Sequence, residues 1–361
     1  METVADSFVS LMEDPTLGEI DRPMIERFRV QLRRLPADVY QFRRAHGLQM
    51  TLREVAERAE SLGLSARTQT SVDRTVGYLS EMLKGAADAG YMRENPAKTV
   101  TGKQNKRVRE NRQRDPFTPT DLAQIFGANW FATGSGRLNN AGKYRTFQPH
   151  YYWLPLLGLY TGARINELAQ LYLDDVRVTD AKVWYLDFNL NGADKLDVDD
   201  PDDKSLKTIN SIRSVPLHSE VLKLGFLEYV QALRAAKHKR LFPELLHYRM
   251  KGYGKAAGSW FNDRYLGRSL GIKRDGRKVF HSFRHTFVTS LFDAELPDAT
   301  VSQLSGHAQE GSMAATRYRK EQAPDKLQPY VERLKFPLPE IALRRRRRLA
   351  RPEGCARAKE R

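Results

Sequence analysis

Residues 281–320 read HSFRHTFVTSLFDAELPDATVSQLSGHAQEGSMAATRYRK. The stretch carries His281, Arg284, His285, His307 and Tyr318. His281 and Arg284 are three apart and His281 and His285 four apart, so the three share a face if the segment is helical. Phe283, Phe287, Val288 and Leu291 supply an apolar side, and Gly306 fits a tight turn that presents His307. Arg317, Arg319 and Lys320 surround Tyr318 with positive charge. A His–Arg–His cluster also suits an ordinary polar helix face, and a tyrosine also suits packing, so the rest of the chain has to decide.

The side-chain chemistry narrows the choice. Arginine offers two parallel hydrogen bonds to phosphate oxygens. Histidine donates to phosphate and moves protons near neutral pH. A phenol is a covalent nucleophile once its surroundings activate it. Together these groups suffice to hold and attack a phosphodiester without a metal. A zinc site on His281 and His285 is disfavoured, because HSFRH lacks the glutamate of a zinc protease helix and Arg284 repels a cation.

Composition points the same way. The chain has 361 residues, with 60 Lys and Arg against 44 acids and a formal net charge of +16. A field of that sign favours a polyanion such as nucleic acid or an anionic membrane surface. The N-terminus, METVADSFVSLMED, has no secretory signal character. The longest uncharged apolar run, Tyr151 to Ala163, contains Pro155 and is too short to span a bilayer. The single cysteine, Cys355, excludes an internal disulfide and a cysteine-rich zinc site, and it fits a reducing cytoplasm.

Upstream, residues 1–100 read as all helical. Ile25, Phe28, Leu32 and Leu35 recur at helical spacing before Pro36. Thr51 and Glu54 form a capping box, and Val72, Val76, Leu79, Leu83 and Ala86 form the stripe of a long helix. Arg67 and Arg74 are candidate DNA contacts there. Residues 101–116 are a basic interdomain linker, with Lys103, Lys106, Arg107, Arg109, Arg112 and Arg114 suited to phosphates. A second domain is expected over 117–337, followed by a basic, disordered tail over 338–361. GSGRLNNAGKY has the wrong spacing for a phosphate loop and reads as an ordinary loop.

Within the second domain, Gly162 permits a break between an apolar helix, Tyr152 to Tyr160, and a new helix from about Ala163. Arg164 then projects from a helix N-terminus, a place suited to anions. Glu167 is spaced either to orient a neighbouring basic group or to form a plain surface pair with Arg164. Strands are expected at Lys182 to Phe188, about Leu206 to Ile209, and Arg213 to Leu217, with Lys207 on the hairpin edge. The aspartate-rich insertion at 194–203 does not match a calcium loop. Helices are expected over Ser219 to Ala236, about Ala256 to Leu270, and about Asp325 to Leu334. The last either docks on a neighbouring protomer or packs on its own domain.

In order, ARINEL, KT with R-x-VPL, HSFRHTF, LSGH and a tyrosine eleven residues later closely resemble the tyrosine recombinase, or phage integrase, family. PLHSEV, GFLEYV, LFPEL and GHAQEGSMAATRYRK are most similar to integrases of genomic islands and prophages. The resemblance implies a mainly α fold with a small β-sheet (α+β). It also implies a helical core-binding domain and a catalytic domain forming a C-shaped clamp on the duplex. It implies that Arg164 and Arg284 clamp the scissile phosphate and that Lys207 protonates the leaving 5′ oxygen, with Lys204 as the rival. It further implies that His281 and His307 hydrogen-bond the phosphate, that Tyr318 forms a 3′-phosphotyrosyl enzyme, and that Glu167 and His285 support the others.

The implied activity is site-specific integration or excision of a mobile element. It needs no metal or cofactor, because the covalent ester retains the bond energy for resealing. The expected partners are double-stranded DNA attachment sites, three further copies in a tetramer on two sites, and accessory DNA-bending or directionality proteins. The expected setting is the bacterial nucleoid, with a bacterial or phage gene. Two alternatives stay open: a type IB topoisomerase-like enzyme that nicks and reseals, and a DNA-binding protein without turnover on the same fold. The family's additional N-terminal arm-binding domain is not evident in this sequence.

Overall fold

The computed structural model describes residues 4–64, 67–98, 114–128, 131, 148–190, 204, 206, 211–248, 251–273, 275–307 and 321–339. Lys103, Lys106, Arg107, Arg109, Arg112, Lys207 and Tyr318 lie outside the described residues, as do the acidic insertion and the tail from Arg344. The chain divides into two compact units, Met1–Arg107 and Val108–Arg361.

The first unit is a set of helices: α1 (Val4–Met12), α2 (Arg22–Arg34), α3 (Val39–His46), α4 (Leu52–Ser61) and α5 (Gln69–Asp88). Each start is chemically marked. Asp21, Asp38, Thr51 and Thr68 accept backbone N–H bonds at the N-termini of α2 to α5. Thr51 and Glu54 close the expected capping box. Ile25, Phe28 and Leu32 of α2 meet Val72, Val76 and Leu79 of α5 in one buried cluster. The apolar stripes therefore hold this unit together, and Arg29 of α2 pairs with Asp73 of α5 beside them at 3.3 Å.

The second unit is built around α7 (Pro149–Thr161), which follows α6 (Pro119–Gly127). Every residue of α7 is buried. A helix apolar on all sides belongs inside a core rather than at its surface. α7 ends at Gly162, whose φ of 61° is left-handed, and α8 (Ile165–Ala169) follows at once. A three-stranded antiparallel sheet comes next: β1 (Val176–Val178), β2 (Trp184–Phe188) and β3 (Arg213–Pro216), in that order. Leu186 pairs with Val215 and Phe188 with Arg213. Leu186, Phe188 and Val215 are buried and join the main core.

Several expectations are corrected by local backbone chemistry. β1 is an added strand, too short at three residues to stand out as a pattern. Ser219 to Ala236 is two helices, α9 (Ser219–Lys223) and α10 (Phe226–Ala235), because Gly225 takes a left-handed φ of 90° between them. The next expected helix begins as α11 (Gly254–Ser259) and continues as a π-helix over Trp260–Ser269. The expected strand at Leu206 to Ile209 falls almost wholly outside the described residues.

The fold closes with α12 (Ser282–Asp293), α13 (Asp298–Ser305) and α14 (Pro324–Val331). α14 packs on its own unit: Leu327 and Val331 enter the core, and Gln328 Nε2 donates to the carbonyl of Leu217. No helix among the described residues is long and apolar enough to cross a membrane.

Candidate active site

Close packing between α7 and α12 sets the site. A Cβ on Gly158 would lie 2.9 Å from Phe280 Cζ, and one on Gly162 would lie 2.4 Å from Phe287 Cδ1. The two missing side chains let the helices approach. Phe283, Phe287 and Leu291 fill the interface, and Arg284 is carried into it, 2% exposed. Its Nη1 donates to the carbonyl of Gly162 at 3.0 Å. Its Nη2 is buried and has no hydrogen-bond partner among the described residues. Burial, with Arg213 and Arg164 nearby, pulls this guanidinium down to about 9, so it stays charged at neutral pH.

Two residues after Gly162 stands Arg164, the N-cap of α8. The sequence allowed Glu167 to be a surface partner of Arg164, but it is 3% exposed and binds two guanidiniums. Its Oε1 accepts from Arg164 Nη1 at 2.5 Å. Its Oε2 accepts from the Arg164 backbone N–H and from Arg213 Nη2, each at 3.0 Å. Burial pushes the Glu167 carboxyl up, but the Arg213 charge and the Arg164 bonds outweigh it, and the group lies below its ordinary value. Ser211 Oγ accepts a further bond from Arg164 Nη1 at 3.1 Å.

Arg213 was legible only as the R of R-x-VPL, with no role attached. It is wholly internal, and its guanidinium lies 4.4 Å from the Phe188 ring centroid. Among the described residues, Glu167 is the carboxylate that pairs with this cluster of Arg164, Arg213 and Arg284, which leaves two guanidinium charges in excess there. Such a cluster suits an anion.

The imidazoles border these cations. His281 stands at the position just before α12, and its ring meets His285 edge to face at 5.2 Å. Burial, then the charges of Arg114, His285, Arg284 and Arg164, lower His281 to about 3. His285 is lowered by burial, Arg114 and Arg284. His307 follows Gly306, whose φ of 68° ends α13 in the left-handed cap expected of the turn. Ser305 Oγ and His307 Nδ1 are 2.9 Å apart, which orients the ring. Partial burial, Arg284, Arg164 and Arg213 lower His307 to about 4. Both rings are therefore neutral donors at pH 7 in the free protein.

The remaining candidates separate. Arg67 and Arg74 belong to the first unit; Arg74 is exposed on α5, while Arg67 Nε bonds the Pro36 carbonyl at 3.4 Å. Arg114 is exposed at the entrance to the second unit. Just after it, Asp115 pairs with Arg277, and the Phe117 N–H donates to Thr286 Oγ1 on α12. Lys204 is spent elsewhere: its Nζ lies 2.7 Å from Asp175 Oδ1 and 3.0 Å from Asn189 Oδ1, with the side chain 2% exposed. No cluster of three His, Cys, Asp or Glu able to hold a metal occurs among the described residues.

The segment between His307 and Glu321 carries Tyr318, and its downstream end is fastened to α13. Gln303 Nε2 donates to the Gln322 carbonyl at 2.8 Å, and the Gln322 N–H donates back to Gln303 Oε1 at 3.1 Å.

No curated protein matches the chain. Among solved structures it is similar to the Tn1549 transposon integrase in complex with transposon right end DNA, at 15% identity and a TM-score of 0.44, covering 92% of each chain. It is also similar to the integrase from mycobacterium phage Brujita, at 18% identity and a TM-score of 0.37, covering 91% of this chain and 98% of that one. The XerA recombinase matches at 16% identity and a TM-score of 0.32, covering 88% and 90%. Residues 136–324, more than half of the chain, match the family model described as the Phage integrase family. The chain belongs to the phage integrase family, the tyrosine class of site-specific DNA recombinases.

Proposed function

We propose that this recombinase cuts and rejoins double-stranded DNA through Tyr318, integrating or excising a mobile element. The phenol oxygen of Tyr318 gives up its proton to a neutral imidazole of the site, attacks the scissile phosphorus and forms a 3′-phosphotyrosyl ester. The bond from phosphorus to the 5′ oxygen breaks, and Lys207 supplies the proton to that oxygen. Arg164 and Arg284 hold the nonbridging oxygens, where charge builds as the phosphorus adds a ligand. His281 and His307 donate to the same oxygens and assist proton movement, while Glu167 and His285 hold their neighbours in place. A 5′ hydroxyl from the partner duplex reverses the step and exchanges strands, so the ester conserves the bond energy.

The observation that carries this reading is the Arg284 fork. One arm is fixed on Gly162, and the other is buried with no partner among the described residues. A buried charged donor left without an acceptor costs free energy that an incoming phosphate oxygen recovers. The buried pairing of Lys204 with Asp175 favours Lys207 as the general acid. Arg67, Arg74, Arg114 and the basic residues of 101–116 supply sequence-independent phosphate contacts. Four copies acting on two DNA sites, with accessory DNA-bending or directionality proteins, complete the reading, set at the cytoplasmic nucleoid.

The test is covalent trapping on a nicked duplex carrying the ends of the encoding element, run without metal on a denaturing gel. Wild type is expected to give a band joined to DNA through its 3′ end. Tyr318→Phe is expected to bind equally well and give none. An adduct with Tyr318→Phe would falsify the assignment of the nucleophile. Tight binding with no adduct from either protein would point to a DNA-binding role alone.

A further inference from the structure

We propose that Arg213 is a positioning residue that locks the Arg164 and His307 elements onto β3 as one phosphate clamp. This rests on the recombinase chemistry proposed above. Arg213 opens β3, and its guanidinium reaches three places at once. Nη2 donates to Glu167 Oε2 at 3.0 Å, 46 residues away in sequence. Nη1 donates to the Ser211 carbonyl at 2.8 Å. Nε donates to the Leu304 carbonyl at 3.1 Å, 91 residues away.

Each contact leads to a group that would touch the phosphate. Glu167 is the carboxylate that holds Arg164 by both its side chain and its backbone. With Oε2 fixed by Arg213, Oε1 has one orientation in which to hold the Arg164 guanidinium. Ser211 stands two residues before Arg213, and its hydroxyl accepts directly from Arg164 Nη1. Leu304 belongs to the last turn of α13, whose orphan carbonyls need donors. A cation there suits the helix C-terminus, and that end passes through Gly306 into His307. The ring of Phe188 backs the guanidinium and fixes its plane.

A core ion pair that served stability alone would not need this topology. It would not share its carboxylate with the partly exposed Arg164, nor join the start of α8 to the end of α13 through one strand end. A planar fork is required, because an ammonium is a point charge and cannot hold three diverging acceptors. Arg213→Lys should therefore keep the buried charge and lose the alignment.

The experiment is single-turnover cleavage of a nicked duplex carrying the element's end, with wild type, Arg213→Lys, Arg213→Gln and Arg164→Ala. The scissile position is either an ordinary phosphodiester or a methylphosphonate, which lacks the negative nonbridging oxygen and so depends less on the clamp. Arg213→Lys is expected to bind DNA as wild type does and to cleave the ordinary substrate about a hundredfold more slowly. On the methylphosphonate the deficit should shrink by about tenfold, as it should for Arg164→Ala. A purely structural role would slow both substrates equally, and that outcome overturns the proposal. Cleavage by Arg213→Lys at the wild-type rate overturns it as well. If Arg213→Lys does not melt cooperatively, Arg213→Gln is read in the same way, and failure of both to fold assigns Arg213 to the core alone. An absent wild-type adduct is separate: it overturns the chemistry itself, and this proposal with it.

Discussion

Arg284 and Gly162 are joined by a 3.0 Å bond from Nη1 to the carbonyl, across an interface where Gly162 also has no room for a Cβ. One residue thus supplies the acceptor that aims the arginine and the space that lets the arginine's helix approach. Gly162→Ala should fail on both counts, because its φ is left-handed and Phe287 occupies the space. The expected loss is about 1–3 kcal/mol from overpacking, with additional backbone strain. Urea unfolding measures it, and covalent adduct formation should fall further than the loss of folded protein explains.

Lys204 and Lys207 should separate cleanly. Lys204→Met leaves Asp175 buried without its cation, and burial already pushes that carboxyl above its ordinary value despite Lys204. Breaking such a pair costs about 3–5 kcal/mol. Cleavage per folded molecule should stay near wild type. Lys207→Ala should show the reverse: wild-type melting, slow cleavage, and recovery on a 5′-bridging phosphorothiolate, whose thiol leaves without a general acid. Recovery of Lys204→Met on that substrate would exchange the two assignments.

His281 should make the free protein acid-sensitive. Its value of about 3 lies below the unfolded value of about 6.5, so the unfolded chain binds more protons between them. Its contribution is complete above about pH 6.5 and is lost as pH falls toward about 3. His281→Gln should therefore lose less stability than wild type between about pH 7 and about pH 5. Urea midpoints at the two values check this, and parallel slopes would count against it.

The Gln303–Gln322 exchange should matter for the nucleophile. Gln303→Ala removes one donor and one acceptor from a half-buried pair, costing about 1–2 kcal/mol. Because Tyr318 lies between His307 and this anchor in sequence, single-turnover cleavage should slow with DNA affinity unchanged. A gel-shift titration beside the adduct assay separates the two.

Local signals carried much of this into the sequence. The apolar stripes of α2 and α5, the Thr51 box and the Gly162 and Gly306 breaks are written within a few residues of one another, and each appears as expected. Arg164, His281, Arg284 and His307 were visible because their motifs stand beside those breaks. Arg213 was not, because its partners lie 46 and 91 residues away and an arginine at a strand end ordinarily reads as exposed. Glu167 shows the same limit: spacing revealed its pairing with Arg164 but not its burial or its second cation. The π-helical turns over Trp260–Ser269 leave no periodic mark that separates them from an α-helix.

The surplus of guanidinium over carboxylate has a thermodynamic consequence. Like charges held together in a desolvated pocket raise the energy of the empty protein. Among the described residues the unliganded site is therefore electrostatically frustrated, and in the proposed reaction the scissile phosphate is its counter-ion. DNA then acts as a structural component as well as a substrate. The ligated protein should melt at a higher temperature than the free one, by an amount set by mass action. Neutralising Arg284, which pairs with no carboxylate among the described residues, should narrow the gap in melting temperature between bound and free protein and sacrifice cleavage.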